Sequence, residues 1–167
     1  MDAQRYLEML CDRLRSHFDI ERKKVISGNI VDLFARCHIK HVRTFLTPGD
    51  VIDSYETNEY FVVKVFDRLT GEDLTLFDSF LKQEIMRIFV QPKDGHMCSI
   101  INGVFVIQSG ISDELEKYIR FYSYEKSYLF SLRGWCRINL AAVDLKNGNV
   151  ILSKRGRNLE KLLKLQL

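Results

Sequence analysis

Two prolines and nine glycines in 167 residues leave no Pro/Gly/Ser-rich linker, and no low-complexity tract is present. Nothing inside the chain therefore marks a boundary between domains. No apolar run approaches the length of a membrane span. The opening residues Met-Asp-Ala-Gln-Arg-Tyr hold no apolar stretch of signal-peptide length. The cysteines Cys11, Cys37, Cys98 and Cys136 include no Cys-x-x-Cys pair, which removes the zinc-ribbon and dithiol motifs. Each lies in an apolar context that suits a buried free thiol. A reducing cytoplasm is the expected location. There is no Gly-x-Ser-x-Gly elbow, no Gly-x-x-x-x-Gly-Lys loop and no Gly-x-Gly-x-x-Gly. Serine-hydrolase chemistry and nucleotide binding by those routes lose their signatures.

What is present reads as an ordinary globular chain. Apolar residues make up 46% and charged residues 28%, enough to build a core without disulfides or metals. The net charge of +3 permits an anionic partner without requiring one. It is unevenly spread. Lys154, Arg155, Arg157, Lys161 and Lys164 face one acid, Glu160, near the C-terminal end. Such a run is either solvated or a contact surface.

Periodicity orders the elements. Tyr6, Leu7, Leu10, Leu14 and Phe18 form a helical stripe over residues 3–17. A weak strand over 18–27 reaches the Gly28-Asn29 turn. In 30–46, Val31, Leu33, Ala35, Cys37 and Ile39 alternate with Asp32, Phe34, Arg36, His38 and Lys40, a strand with a core face and a polar face. Thr47-Pro48-Gly49-Asp50 reads as a loop and Tyr60–Phe66 as a strand. Glu72–Val90 is the longest helix, and Ile100–Ile107 a central strand broken in character only by Asn102 and Gly103. Ser112 caps a short helix. Alternation from Tyr122 to Leu132 predicts a long strand, and Gly134-Trp135 opens another. Asn147-Gly148 predicts a two-residue hairpin turn. A last helix follows Asn158. The chain is expected to be a single compact α+β domain over 1–167, its sheet mostly antiparallel or mixed. Its sub-parts would be 1–108 (αβββαβ) and 109–167 (αβββα).

The αβββαβ order over residues 3–107 resembles the core of the PD-(D/E)XK nuclease superfamily. In that family an acid on the second strand and an acid-x-Lys on the third hold a divalent metal and activate a water. Asp32 and Lys64 match these positions, Glu59 is the available second carboxylate and Glu8 an accessory acid. The residue two before Lys64 is Val62, where the family has an acid. The resemblance implies a Mg²⁺-dependent nuclease on Asp32, Glu59 and Lys64, or a non-cleaving relative. A second resemblance rests on Asn58-Glu59-Tyr60-Phe61, on His96-Met97-Cys98-Ser99-Ile100-Ile101, and on Gly134-Trp135 through Val143-Asp144-Leu145. Over most of its length the chain resembles an uncharacterised bacterial and archaeal family of unknown function, which implies a cytoplasmic prokaryotic protein and no particular activity.

Other constellations are smaller. His38 and His41 fall on opposite faces of a strand, and His96 with Cys98 gives two soft ligands without a third. Tyr122, Tyr124, Lys126 and Tyr128 interleave aromatics with a cation, as a base-stacking wall or a core strand does. Lys154, Arg155 and Arg157 form a basic turn ahead of a helix, suited to a phosphate or to solvent. The expected function is a non-enzymatic binding or interaction domain without metal or cofactor, taking a protein or small-molecule partner. The alternatives are the nuclease and nucleic-acid binding without cleavage through the basic C-terminal segment. Homo-oligomerisation stays open.

Overall fold

The computed structural model describes residues 1–44 and 51–165. The loop expected at Thr47-Pro48-Gly49-Asp50 lies outside the described residues. Helix α1 (Ala3–Leu14) starts at Asp2, whose carboxylate accepts the Arg5 N–H at 2.8 Å. Three strands follow, β1 (Asp19–Ile26), β2 (Asn29–Thr44) and β3 (Val51–Phe66). Helix α2 (Gly71–Phe80) opens on a capping box between Thr70 and Asp73. It runs through a π-helical turn (Leu81–Ile85) into α3 (Met86–Phe89). Then come β4 (His96–Ile107), α4 (Asp113–Phe121), β5 (Tyr124–Ser127), β6 (Trp135–Asp144) and β7 (Asn149–Leu152). A 3₁₀ turn (Lys154–Leu159) and α5 (Glu160–Leu163) close the described chain.

All seven strands belong to one sheet of order β1-β2-β3-β4-β6-β5, with β7 also on β6. The β3–β4 and β4–β6 pairs are parallel and the others antiparallel. The fold is therefore α+β with a mixed sheet, and β4 beside β6 joins the two expected sub-parts in one sheet. One sheet face packs Phe34, Val62, Ile101 and Phe105 against Leu74, Phe77, Leu81 and Ile85 of the long helix. The other packs Leu33, Phe61, Val104 and Val143 against Tyr6, Leu10 and Leu14 of α1 and Leu163 of α5. Gly103 has a steric reason: a Cβ there would lie 2.5 Å from Leu81 Cδ1, so the helix sits directly on the strand.

Several expectations change. Phe34 is fully buried, so the strand face expected to be polar is core at that point. β3 begins before Tyr60, its polar first half pairing with β2 as an outer ribbon. The strand expected from Tyr122 to Leu132 shrinks to β5, because Leu129, Phe130 and Ser131 all take positive φ, from 51° to 70°. The base of that turn is held by Tyr128 N–H to Gly134 O at 2.9 Å and His96 Nδ1 to Arg133 O at 2.8 Å. Asn147-Gly148 belongs to a four-residue connection, since Asp144 pairs with Asn149. Asp144 Oδ1 accepts the backbone N–H groups of Lys146 and Asn147, each at 3.0 Å, and shapes the longer loop.

Candidate functional site

Helices α1 and α5 cover only the half of their sheet face towards the carboxyl ends of the parallel strands. On the other half the register lays out successive cross-strand rows. The innermost row is Ala35–Phe61–Asn102–Asn139. The next is Cys37–Glu59–Ile100–Arg137–Glu125, and the one beyond is Ile39–Thr57–Cys98–Trp135–Ser127. Side chains two apart on a strand share a face, so these rows form one surface at the margin of the helical cover.

A hydrogen-bond chain crosses this surface. Asn139 Nδ2 donates to Asn102 Oδ1 at 2.9 Å, and Asn102 Nδ2 donates to Glu59 Oε1 at 2.8 Å. Asn102 is 0% exposed and Asn139 3%, while Glu59 is half-buried. Among the described residues, Asn139 Oδ1 is the buried side-chain oxygen that accepts nothing. Gly156 packs against the Asn139 side chain, where a Cβ would lie 3.3 Å from Asn139 Cβ.

The charges follow the burial. Burial pushes the Glu59 carboxyl above the usual carboxylate range, against the opposing bond from Asn102. Burial also raises the Cys37 and Cys98 thiols, the nearby Glu59 charge adds to both, and Arg137 opposes at Cys98. The Arg137 guanidinium lies 4.6 Å from the Trp135 ring centroid and donates to Glu125 Oε2 at 2.9 Å. Arg155 closes on the same carboxylate. The bond from Arg137, with the Arg155 charge, holds Glu125 below the usual range. The result is a floor with an acid inclined to keep its proton, two neutral thiols, an aliphatic patch at Ile100 and a stacked cation.

The residues expected from sequence distribute otherwise. Asp32 Oδ2 accepts the Val65 N–H at 2.7 Å, so its carboxylate completes the sheet. Lys64 Nζ lies 5.8 Å from the Phe66 ring centroid. Glu59 stands five residues from Lys64 on β3, about 16 Å along the strand and on the opposite face. Glu8 bonds Gln4 on α1. The geometry therefore gives Asp32, Glu59 and Lys64 no common site. Among the described residues no group of three or more His, Cys, Asp or Glu is placed to hold a metal ion. His96 spends its ring nitrogens on Arg133 O and Ser99 Oγ, at 2.8 and 2.9 Å. His38 bonds Asn58, and His41 bonds Thr57.

The tyrosine wall turns inward. Tyr122 is buried and donates to Asp78 Oδ1 at 2.6 Å, and Tyr124 and Tyr128 pack on the core beneath the long helix. Lys126 stays exposed near the Tyr128 ring. Of the basic turn, Arg155 joins Glu125, while Lys154 and Arg157 point into a groove over β7. A concavity of about 890 Å³ lies between the N-terminal ends of α2 and α4. At its edge Asp144 already accepts the Ile111, Lys146 and Asn147 N–H groups.

Sequence reading missed Arg137, Trp135, Asn139 and the thiols as one set. Asn102, a polar residue inside an apolar strand, was the visible signal. The model of a family described as a domain of unknown function, DUF8052, matches residues 2–165. No curated protein and no solved structure matches the chain.

Proposed function

We propose, from the premise that the chain belongs to the DUF8052 family, that it is a non-catalytic binding domain for a small planar polar molecule held on the open half of the sheet. The observation that carries this reading is the row Cys37–Glu59–Ile100–Arg137–Glu125. It is polar, set over the buried Asn102–Asn139 pair, and lies beyond the cover of α1 and α5. Buried polar chains of this kind cost stability against an apolar core of the same shape, so a role in recognition accounts for their presence. Arg137 against Trp135 offers a flat charged wall, Ile100 an apolar floor, and Glu59 a group that donates when protonated and accepts when ionised. Few precisely placed polar groups on an apolar base is the usual make-up of small-molecule sites. A cytoplasmic setting, which suits the free thiols, and a prokaryotic one belong to the same proposal. Asp32 and Lys64 are neighbours on one sheet face, and the placement of Glu59 on the other face, away from both, favours binding over metal-dependent hydrolysis.

The test is a thermal-melt series with nicotinamide, benzamide, adenine and uracil at millimolar concentration. At least one should raise the melting temperature of the wild-type chain, and Trp135→Ala and Glu59→Ala should abolish that rise. A rise that both variants retain places binding elsewhere and defeats the reading.

A further inference from the structure

The stacking surface that the tyrosine strand does not supply exists on α4. Tyr118 and Phe121 stand three apart, on one side of that helix, and are 47% and 85% exposed. Phe121 lines a groove of about 690 Å³ over the edge strand β7, floored by Val150 and Leu152 and rimmed by Arg120, Lys154 and Arg157. Arg120 is paired with Glu116 at 2.8 Å. Among the described residues Lys154 and Arg157 have no carboxylate within ion-pair distance. The acid lining the groove is Glu160, and the exposed Lys117 and Lys161 extend the positive charge on either side. Tyr118 lies outside the groove, its ring 6.2 Å from that of Tyr122. An exposed phenylalanine beside unpaired cations in a groove, with a second aromatic one helical turn away, is costly to leave in water and complementary to an anionic chain that carries rings.

We infer that this groove binds single-stranded nucleic acid. The bases stack on Phe121 and Tyr118, and the phosphates meet Lys154 and Arg157. The contacts are to ring faces and backbone, so binding is tolerant of sequence. Two or three phosphate contacts give a salt dependence of log affinity on log salt of about −1.4 to −2. The inference does not depend on the small-molecule site, which shares no residue with this groove.

The experiment is fluorescence anisotropy of a labelled single-stranded dT 12-mer with the full chain, from low to physiological salt. Wild type should bind with the stated slope and prefer the single strand to a duplex of equal length. Phe121→Ala should weaken binding about fivefold or more. The double variant Lys154→Ala/Arg157→Ala should lower both affinity and salt slope. All three substituted side chains are exposed, and a circular-dichroism melt confirms that the variants fold. Absence of binding at the lowest salt, binding unchanged in the double variant, or displacement by poly-glutamate as efficient as by unlabelled oligonucleotide would each overturn the inference. The last result would assign the groove to an acidic polypeptide.

Discussion

Glu59 holds its proton more tightly in the folded chain than in the unfolded one, because burial outweighs the Asn102 bond. The protonated form therefore favours folding. That contribution is fully present below the ordinary glutamate pKa of about 4.3 and is lost as pH rises through the raised folded value. Glu59→Gln keeps an oxygen for Asn102 and removes the titration. The melting-temperature gap between variant and wild type should be near zero at acid pH and widen in favour of the variant towards neutrality. A gap that is constant or reversed would show that the carboxyl is not held as described. At Gly134, with φ of +77°, a Cβ would fall 2.5 Å from the carbonyl oxygens of His96 and Met97. Gly134→Ala should cost about 2–5 kcal/mol in a urea unfolding experiment, the sum of left-handed strain and overpacking. Legibility at this scale was partial. Asn102 and Gly103 stood out in an apolar strand, but what each meets, Glu59 in one case and Leu81 in the other, is set by register and helix packing that no local pattern reveals.

Among the elements, the turn at Leu129–Ser131 sets three successive non-glycine residues at positive φ. Phe130 is 98% exposed with φ of 54°, so it stores left-handed strain without packing to offset it. Phe130→Gly should raise the unfolding free energy by up to about 1 kcal/mol, the relief of strain exceeding the added chain entropy. A fall in stability would mean that the ring makes a contact worth more than the strain. The period-two alternation from Tyr122 to Leu132 gave no warning of this turn. Strand β5 ends at Ser127 because the chain must bend for Gly134 to approach His96 and Met97, a demand made by β4 and invisible locally. The helix over Glu72–Val90 was readable almost to the residue, because its stripe of Leu74, Phe77, Leu81 and Ile85 is the contact it makes. The first half of β3 was not, because an outer polar ribbon lacks the hydrophobic alternation that marks half-buried strands.

In the whole molecule, the ends of the described chain lock the covered half of the sheet and so define the open half. Tyr6 Oη donates to Leu163 O at 2.9 Å, and Arg13 reaches Leu162 O and Lys164 O, each at 2.6 Å. Tyr6→Phe leaves a buried carbonyl without its donor and should cost about 1–2 kcal/mol by urea unfolding. An unchanged midpoint would detach the terminal helix from the account. The α+β class and the element order were legible in the sequence, since they follow from periodicity and turn chemistry. The candidate site was not, because its residues come from five strands and meet only through the strand order. The central claim is that this open half is a ligand floor. Its most direct test is an amide-resolved NMR titration of the wild-type chain with the planar amides and bases named above. Shifts should cluster at Cys37, Glu59, Ile100, Asn102, Arg137 and Asn139. Shifts confined to other parts of the molecule, or none at millimolar ligand, would contradict it.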